Sequence, residues 1–343
     1  MDKFKVIVWG LGNVGRAAIR MIQSKESLEL VAAVDSDPAK IGKDAGEVFG
    51  FSKTGVVVTD DINAAVKLAA DVVLAYIPLR RGKGNVYDPS IDDMMIPLAA
   101  GKNVITTIPL YYMQILDPHN YERLDQCAKA HGVSFLPTGL LPGAYASYLP
   151  TVLAGLMGRV DHLLVQSGED DQENTAAWVK VFNYGGDPAT FPSAMLKDII
   201  TRYYVGAVYE IGDRLGLKFD RVESTHELFT APTDLKFVGG VAKQGTISGH
   251  RFEMSGIING QKIITLRYVH KICDDKNPNP DITNLIRIDG LPSTLETRID
   301  GLMPLDESFV TSTAPSVNAV PQVVSAAPGV VYALDLPTIV PVQ

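Results

Sequence analysis

The chain has 343 residues, enough to bury a sizeable core in about two domains. Apolar residues make up 46% and charged residues 20%, as in an ordinary folded protein, and a net charge of −8 argues against nucleic acid or an anionic membrane surface as the main partner. No stretch is long and apolar enough to span a bilayer. Met1-Asp2-Lys3 enters a strand without a signal-peptide layout, and the two cysteines, Cys127 and Cys273, lie far apart without metal-ligand spacing, so the expectation is a cytoplasmic protein.

The first elements set the plan. Lys5 to Trp9 is an apolar run of strand type, and Arg16 to Ile22 reads as a helix. Between them stands Gly10-Leu11-Gly12-Asn13-Val14-Gly15, a G-x-G-x-x-G in the setting that a dinucleotide-binding turn requires. Gly10 allows the tight turn, Gly12 lets the backbone approach a pyrophosphate, and Gly15 lets the helix pack closely on the strand. The helix start then offers N–H groups to the phosphate charge. Leu28 to Val34 reads as the second strand and ends in Asp35-Ser36, where a carboxylate would accept from the ribose hydroxyls. Asp35, with Asp37 behind it, predicts NAD over NADP. Arg16 is the residue that would blunt this preference, so NADP stays possible.

Pro38 to Gly50 carries the pattern of a short helix, Val56 to Val58 that of a brief third strand, and Asp60 or Asp61 that of a cap for a helix running to Ala70. Asp71 to Ile77 is a buried fourth strand ending at Pro78, so Ile77 and Pro78 belong to its cofactor-side mouth. Arg80 to Asn85 is a polar loop. A helix over 91–100, stopped by Gly101, leads into a fifth strand over 103–108, whose Thr106 and Thr107 fall at the same mouth. A helix over 118–130 and a sixth strand over 133–136 complete the alternation of a doubly wound parallel sheet, a Rossmann domain over residues 1–143.

After Gly143 the rhythm changes. A connecting helix runs from Ala144 to Met157, a strand from Val160 to Gly168 ends in the acidic stretch Glu169 to Glu173, and a long helix covers Phe191 to Leu215. Strand signals then come in series, near 219–229, 235–242, 248–258 and 262–271, with Asn259-Gly260 as a hairpin turn between the last two. After a break at Asn277 to Pro280, two more short strands are expected around 283–288 and 293–299. Such a series implies a mixed or antiparallel sheet, an α+β domain over residues 144–310. Residues 311–343 read as a helical segment returning to the first domain.

The order of segments resembles the dihydrodipicolinate-reductase-like superfamily, and within it the branch of 2,4-diaminopentanoate dehydrogenases and native amine dehydrogenases. The resemblance runs nearly the full length. It is carried by VIVWGLGNVGRAAIRMI, IGKDAGEVFG, AAGKNVITT, GVSFLPTGLLPGAYASYLPTVLAGL and NAVPQVVSAAPGVVYALDLP. It implies a second sheet that covers the cofactor and builds a homodimer, and an NAD(P)-dependent reductive amination or related hydride transfer. Three departures stand out. The His-His pair and lysine of dihydrodipicolinate reductase do not follow the strand at 160–168. The catalytic carboxylate that the diaminopentanoate branch places after the fifth strand is replaced by Ile108-Pro109-Leu110. An asparagine before proline in the sixth-strand loop is replaced by Leu141.

A nicotinamide enzyme needs one proton relay beside its cofactor. Tyr111 and Tyr112, on the mouth loop, would donate to a developing alkoxide or simply form an aromatic wall. Glu169, Asp170 and Asp171 would bind an ammonium group or act as a base, or form a solvated surface. Ile108, Leu110, Met113, Leu141 and Tyr145 make the substrate pocket apolar, so the substrate is expected to be small and hydrophobic. Amine dehydrogenase is the leading reading. A carbonyl reductase or alcohol dehydrogenase working without ammonia, and a cofactor-binding sensor without turnover, remain open. His119 sits at a helix start, and His162, His250 and His270 lie in strands without a paired ligand, so no metal is expected.

Overall fold

The computed structural model describes residues 3–83, 85–174, 177–273, 281–302 and 307–341. It divides into unit 1, residues 1–145 with 307–343, and unit 2, residues 146–306.

Unit 1 opens with β1 (Phe4–Trp9), α1 (Asn13–Gln23), β2 (Leu28–Val34), β3 (Val58–Thr59), α2 (Ile62–Ala65) and β4 (Val72–Ala75). It continues through α3 (Asp88–Ala99), β5 (Asn103–Thr106), α4 (Met113–Leu116), α5 (Pro118–Ala130) and β6 (Ser134–Pro137). Unit 2 holds α6 (Leu149–Ala154), β7 (Arg159–Asp170), α7 (Ser193–Arg214), β8 (Arg221–Thr230), β9 (Leu235–Phe237), β10 (Gly240–Ala242), β11 (Ile247–Ile258), β12 (Gln261–Lys271), β13 (Leu285–Leu291) and β14 (Leu295–Arg298). The chain closes in unit 1 with α8 (Ser308–Asn318), α9 (Val320–Val324) and β15 (Gly329–Val330).

The unit 1 sheet has the order β15-β6-β5-β4-β1-β2-β3, and every pair in it is parallel. This is the expected doubly wound Rossmann sheet with one strand added at the β6 edge. Parallel strands are buried on both faces, and Val6, Ile7, Val8, Val72, Val73 and Leu74 are all enclosed. The strand order reverses at β1, between β4 and β2, so the C-terminal end of β1 is the place where such sheets bind ligands.

Two local expectations are corrected. Pro38 to Gly50 is a run of turns with one short helical turn at Glu47–Phe49, not a helix. The cause is Asp44, whose carboxylate accepts from the backbone N–H groups of Gly46, Glu47, Thr54 and Gly55 and so holds the chain in a loop. The helix after Asp61 is one turn long, although Asp61 caps it through the Ala64 N–H.

The six-stranded sheet of unit 2 has the order β14-β13-β7-β12-β11-β8, with β7 and β12 parallel and the other neighbours antiparallel. It is the expected mixed sheet of an α+β unit. Asn259 and Gly260 both have positive φ in the turn that joins β11 to β12. Residues 235–242 form two three-residue strands rather than one, and the break at Asn277 to Pro280 lies outside the described residues. The side-chain period of two puts Leu163 and Val165 of β7, Ile264 and Leu266 of β12, and Ile286 and Ile288 of β13 on one face, where they are buried. The helix α7 packs on this sheet at β8, β11 and β12.

Candidate active site

The cofactor turn is built by three glycines with three different surroundings. Gly10 has φ +98°, and a Cβ there would lie 2.7 Å from the Tyr76 carbonyl carbon. A Cβ on Gly15 would lie 2.0 Å from the Gly10 carbonyl oxygen. Both positions are therefore closed to any side chain by backbone. Gly12 is the opposite case, since a Cβ there would meet nothing within 4 Å. Gly12 is also the N-cap of α1, with no side chain capping it. Open space beside a glycine, at a helix start with uncapped N–H groups, fits a dinucleotide pyrophosphate. Leu11, Asn13 and Val14 complete the turn.

Asp35 ends β2 beside this turn. Its Oδ2 accepts from the Leu11 N–H at 2.6 Å and its Oδ1 from the Asp37 N–H at 2.8 Å. Burial works to raise the carboxyl, but these backbone donors and Lys40 outweigh it and hold it below the ordinary aspartate range. Lys40 is the cation that sequence reading passed over. Its Nζ lies 3.3 Å from Asp35 and 3.5 Å from Asp37 and donates to the Leu11 carbonyl. Arg16, by contrast, sits over the Phe51 ring. Ser36, Ile77, Pro78 and Thr107 lie at strand ends of the same sheet. Thr106 is buried and gives its hydroxyl to the Ala75 carbonyl, tying β5 to β4.

In unit 2 the face of the sheet changes character along β7. Past Leu163 and Val165 it presents Ser167 and then Glu169, and the parallel register sets Glu169 beside His270 of β12. On the other side of β12, His270 pairs with His250 of β11. Asp171 extends the ladder by one residue, its N–H donating to the Lys271 carbonyl. Its carboxylate accepts from the Tyr184 hydroxyl at 2.6 Å, from His270 Nδ1 at 2.9 Å and from the Asn174 amide at 2.8 Å. His270 Nε2 lies 3.9 Å from Glu169 Oε1. The expectation of strand histidines without a paired ligand is thus corrected for His270, which has two carboxylates within reach. The donor atoms of Glu169, Asp171 and His270 lie within 4.8 Å of one another. Asp171 accepts three hydrogen bonds, one of them from His270, so these side chains form a hydrogen-bonded group.

The three acids at the end of β7 differ sharply. Asp171 is 0% exposed and accepts three hydrogen bonds, whereas the Glu169 side chain is 18% exposed. Asp170 points to the other face, where its Oδ1 accepts from the Gln172 and Cys273 N–H groups. Burial raises the Glu169 carboxyl above the usual range, His270 opposes and the Asp171 charge adds to the rise. Burial disfavours a charged His270, yet Glu169 and Asp171 outweigh it and raise its basicity.

Comparison with known proteins shows what the chain is similar to. Residues 4–76 match the family described as dihydrodipicolinate reductase, N-terminus, and residues 201–342 match the 2,4-diaminopentanoate dehydrogenase C-terminal domain. The chain is 28% identical to an amine dehydrogenase of Streptomyces virginiae, over 96% of this chain and 95% of that one. It is 24% identical to a 2,4-diaminopentanoate dehydrogenase of Acetoanaerobium sticklandii, over 98% and 94% of the two chains. Over nearly its whole length the chain is thus similar to dehydrogenases whose two halves match these two family models. It is an NAD(P)-dependent oxidoreductase. Its fold matches that of an amine dehydrogenase structure from Mycobacterium smegmatis at a TM-score of 0.79 and 18% identity, covering 98% of this chain and 97% of that one.

The loop after β5 is apolar and enclosed. Ile108, Leu110 and Met113 are buried in the hydrophobic cluster formed with Ile7, Val73 and Phe135. Tyr111 and Tyr112 are buried too, with their rings 5.7 Å and 5.1 Å from that of Tyr332 in the C-terminal segment. Leu141 precedes a cis proline in the loop after β6, and Tyr145 is buried at the end of unit 1. His270 and Lys40 are the functional candidates that sequence reading missed. Lys40 carried a local signal, a cation five positions past Asp35. His270 carried none.

Proposed function

We propose that the chain is an amine dehydrogenase, which reductively aminates a small, largely apolar carbonyl compound with ammonia and reverses that reaction. The observation that carries this reading is Glu169. Among the acids at the end of β7 it is the one that combines partial exposure, a raised carboxyl and a basic partner, which suits a general acid at neutral pH. The named dehydrogenase relatives support the reaction class, and the apolar make-up of the loops after β5 and β6, where Leu141 keeps partial exposure, supports the hydrophobic substrate.

In this reading the Gly10–Gly15 turn and Asp35 hold the dinucleotide, and the reduced nicotinamide supplies the hydride when bound. Ammonia adds to the carbonyl carbon and a proton moves from nitrogen to oxygen. Protonated Glu169 then gives its proton to the departing hydroxyl, which leaves as water, and its carboxylate faces the resulting iminium cation. The carbon takes the hydride with its electron pair and a neutral amine results. One proton is consumed overall. NADH oxidation that requires both a carbonyl compound and ammonia tests the assignment. Oxidation without ammonia would instead favour a carbonyl reductase, and none with any substrate a sensor.

Cofactor choice follows from Asp35. A carboxylate at the ribose repels a 2′-phosphate, so NADH should bind more tightly than NADPH. Lys40 offsets part of that repulsion, so Lys40→Ala should widen the preference by roughly tenfold, the equivalent of ~1.4 kcal/mol. Fluorescence titration of both cofactors checks this, and equal or tighter NADPH binding would remove Asp35 from the role.

We also read the enzyme as a homodimer joined through the unit 2 sheet. The face opposite α7 carries interlocked ion pairs, among them Arg251–Glu227 and Lys262–Glu253–Arg267, and both sheet edges need cover. Light scattering at micromolar concentration should give twice the 37.0 kDa chain mass, and a monomer would refute the dimer.

A further inference from the structure

Two buried histidines stand side by side on the unit 2 sheet, and their surroundings push them in opposite directions. His250 donates from Nε2 to the Phe182 carbonyl at 2.9 Å, which leaves its Nδ1 to accept from His226 Nε2, also at 2.9 Å. Both nitrogens are engaged with neutral groups. Burial, only partly opposed by the Phe182 carbonyl, holds His250 down at about 3, so it stays uncharged. His270 is equally enclosed, with the Phe182 ring 4.8 Å and the Tyr268 ring 4.3 Å away, yet its polar neighbours are carboxylates. Titratable neighbours driven apart in this way mark a division of acid–base roles.

The tautomer of His270 is set by Asp171. A carboxylate can only accept, so at 2.9 Å from Asp171 Oδ2 the Nδ1 must carry a hydrogen. Asp171 is itself held by the Tyr184 hydroxyl and the Asn174 amide, so the ring is anchored at that end. Nε2 is then the nitrogen turned toward Glu169 Oε1. The result is a line from Tyr184 through Asp171 and His270 to Glu169. Its inner members Asp171 and His270 are fully enclosed, and its outer member is partly exposed.

We propose that His270 is a positioning residue for the reaction: anchored by Asp171, it shares one proton with Glu169, holds it at rest and hands it to Glu169 when Glu169 acts as the acid. This rests on the reading of Glu169 as the general acid. The balance is simple. The Nε2–H bond of protonated His270 breaks as the two groups close from 3.9 Å and its proton passes to the Glu169 carboxylate, and the new Glu169 O–H bond then breaks toward the departing hydroxyl. The imidazole is left neutral, still bonded through Nδ1–H to Asp171, and solvent returns its proton. The groups that face this pair are Asp171 from the end of β7, His250 from β11, Tyr268 from β12, Tyr204 from α7 and Tyr184 from the segment between β7 and α7. The phenols of Tyr184, Tyr204 and Tyr268 are all pushed up by burial first, so they remain neutral donors through the working range.

The test reads His270 in the resting protein. Histidine NMR titration of the full chain, with the His270 signal assigned by its loss in His270→Gln, should give an apparent pKa above that of an ordinary histidine. In Glu169→Gln it should fall by about one to three pH units, because a negative partner within 4–6 Å has been removed. Amination needs the proton on the pair, so its rate is lost as pH rises through the pair's pKa. Asp171→Asn lowers that pKa and should move the alkaline limb to lower pH. Tyr184→Phe takes a donor from Asp171, strengthens its pull on the Nδ1 proton, and should move the limb the other way. A purely structural role would depress the rate at every pH and leave the limb in place. An unchanged His270 titration in Glu169→Gln, or a limb that neither variant moves, would overturn the proposal, and Tyr184→Phe still decides if Asp171→Asn does not fold. A wild-type protein with the coupled titration but no ammonia-dependent turnover would refute the amine dehydrogenase reading and leave the shared proton standing.

Discussion

Glu169→Gln should lower the rate of NADH-dependent reductive amination by about 10²- to 10⁴-fold, the usual cost of losing a positioned proton donor. The amide keeps the size and partial exposure of the side chain but cannot release a proton to a leaving hydroxyl or face an iminium with negative charge. Cofactor affinity should change little, because in this reading the Gly10–Gly15 turn and Asp35 carry the dinucleotide. The controls come from the same structure. Asp170→Asn should stay within a few-fold of the parent, since Asp170 spends its Oδ1 on the Gln172 and Cys273 N–H groups. Tyr111→Phe and Tyr112→Phe should do the same, because both rings are enclosed against Tyr332. A parent-like rate in Glu169→Gln, together with a collapse in either tyrosine variant, would return the proton relay to the loop after β5.

Gly12→Ala and Gly15→Ala should fail in opposite ways. At Gly15 the new methyl would stand 2.0 Å from the Gly10 carbonyl oxygen, which is backbone and cannot swing aside. Overpacking of this kind costs about 1–3 kcal/mol or more, and the melting midpoint should fall by about 2–4 °C for each kcal/mol in a domain of 150–250 residues. At Gly12 nothing lies within 4 Å, so Gly12→Ala should lose no more than the ~1 kcal/mol that alanine costs at a helix N-cap. Its methyl would occupy the space that the pyrophosphate needs, and NADH affinity should drop at least about tenfold, ~1.4 kcal/mol. Calorimetry and fluorescence titration on the two variants separate the effects. Parent-like NADH binding in Gly12→Ala would mean that the open space at the α1 start is not the phosphate site.

The cofactor half of this protein was legible because its signals are local. The G-x-G-x-x-G turn, the strand before it, the helix after it and Asp35 at the end of the next strand fall within 32 consecutive residues, and their meaning depends on spacing alone. The alternation of strands and helices over the first 137 residues specified a parallel sheet for the same reason, and Asn259-Gly260 specified its hairpin. Local reading erred where a side chain reached across the chain. The helical pattern of 38–50 lost to the four backbone N–H groups that Asp44 gathers, two of them ten and eleven positions away.

The acid–base group could not be read in this way. Glu169, Asp170 and Asp171 look alike in a sequence, as a charged run at a strand end. Strand alternation turns Asp170 to the opposite face from its neighbours, and donors from Tyr184 and Asn174 close Asp171. His270 lies 99 positions from the aspartate that orients it, and they meet because β12 pairs in parallel with β7. The sequence by itself determined the cofactor turn, the class of the two sheets and the apolar character of the loops after β5 and β6, all of which depend on residues near one another in the chain. Only the tertiary structure told the three carboxylates apart, because exposure, hydrogen bonding and the basicity of a neighbouring histidine are properties of groups that strand pairing brings together.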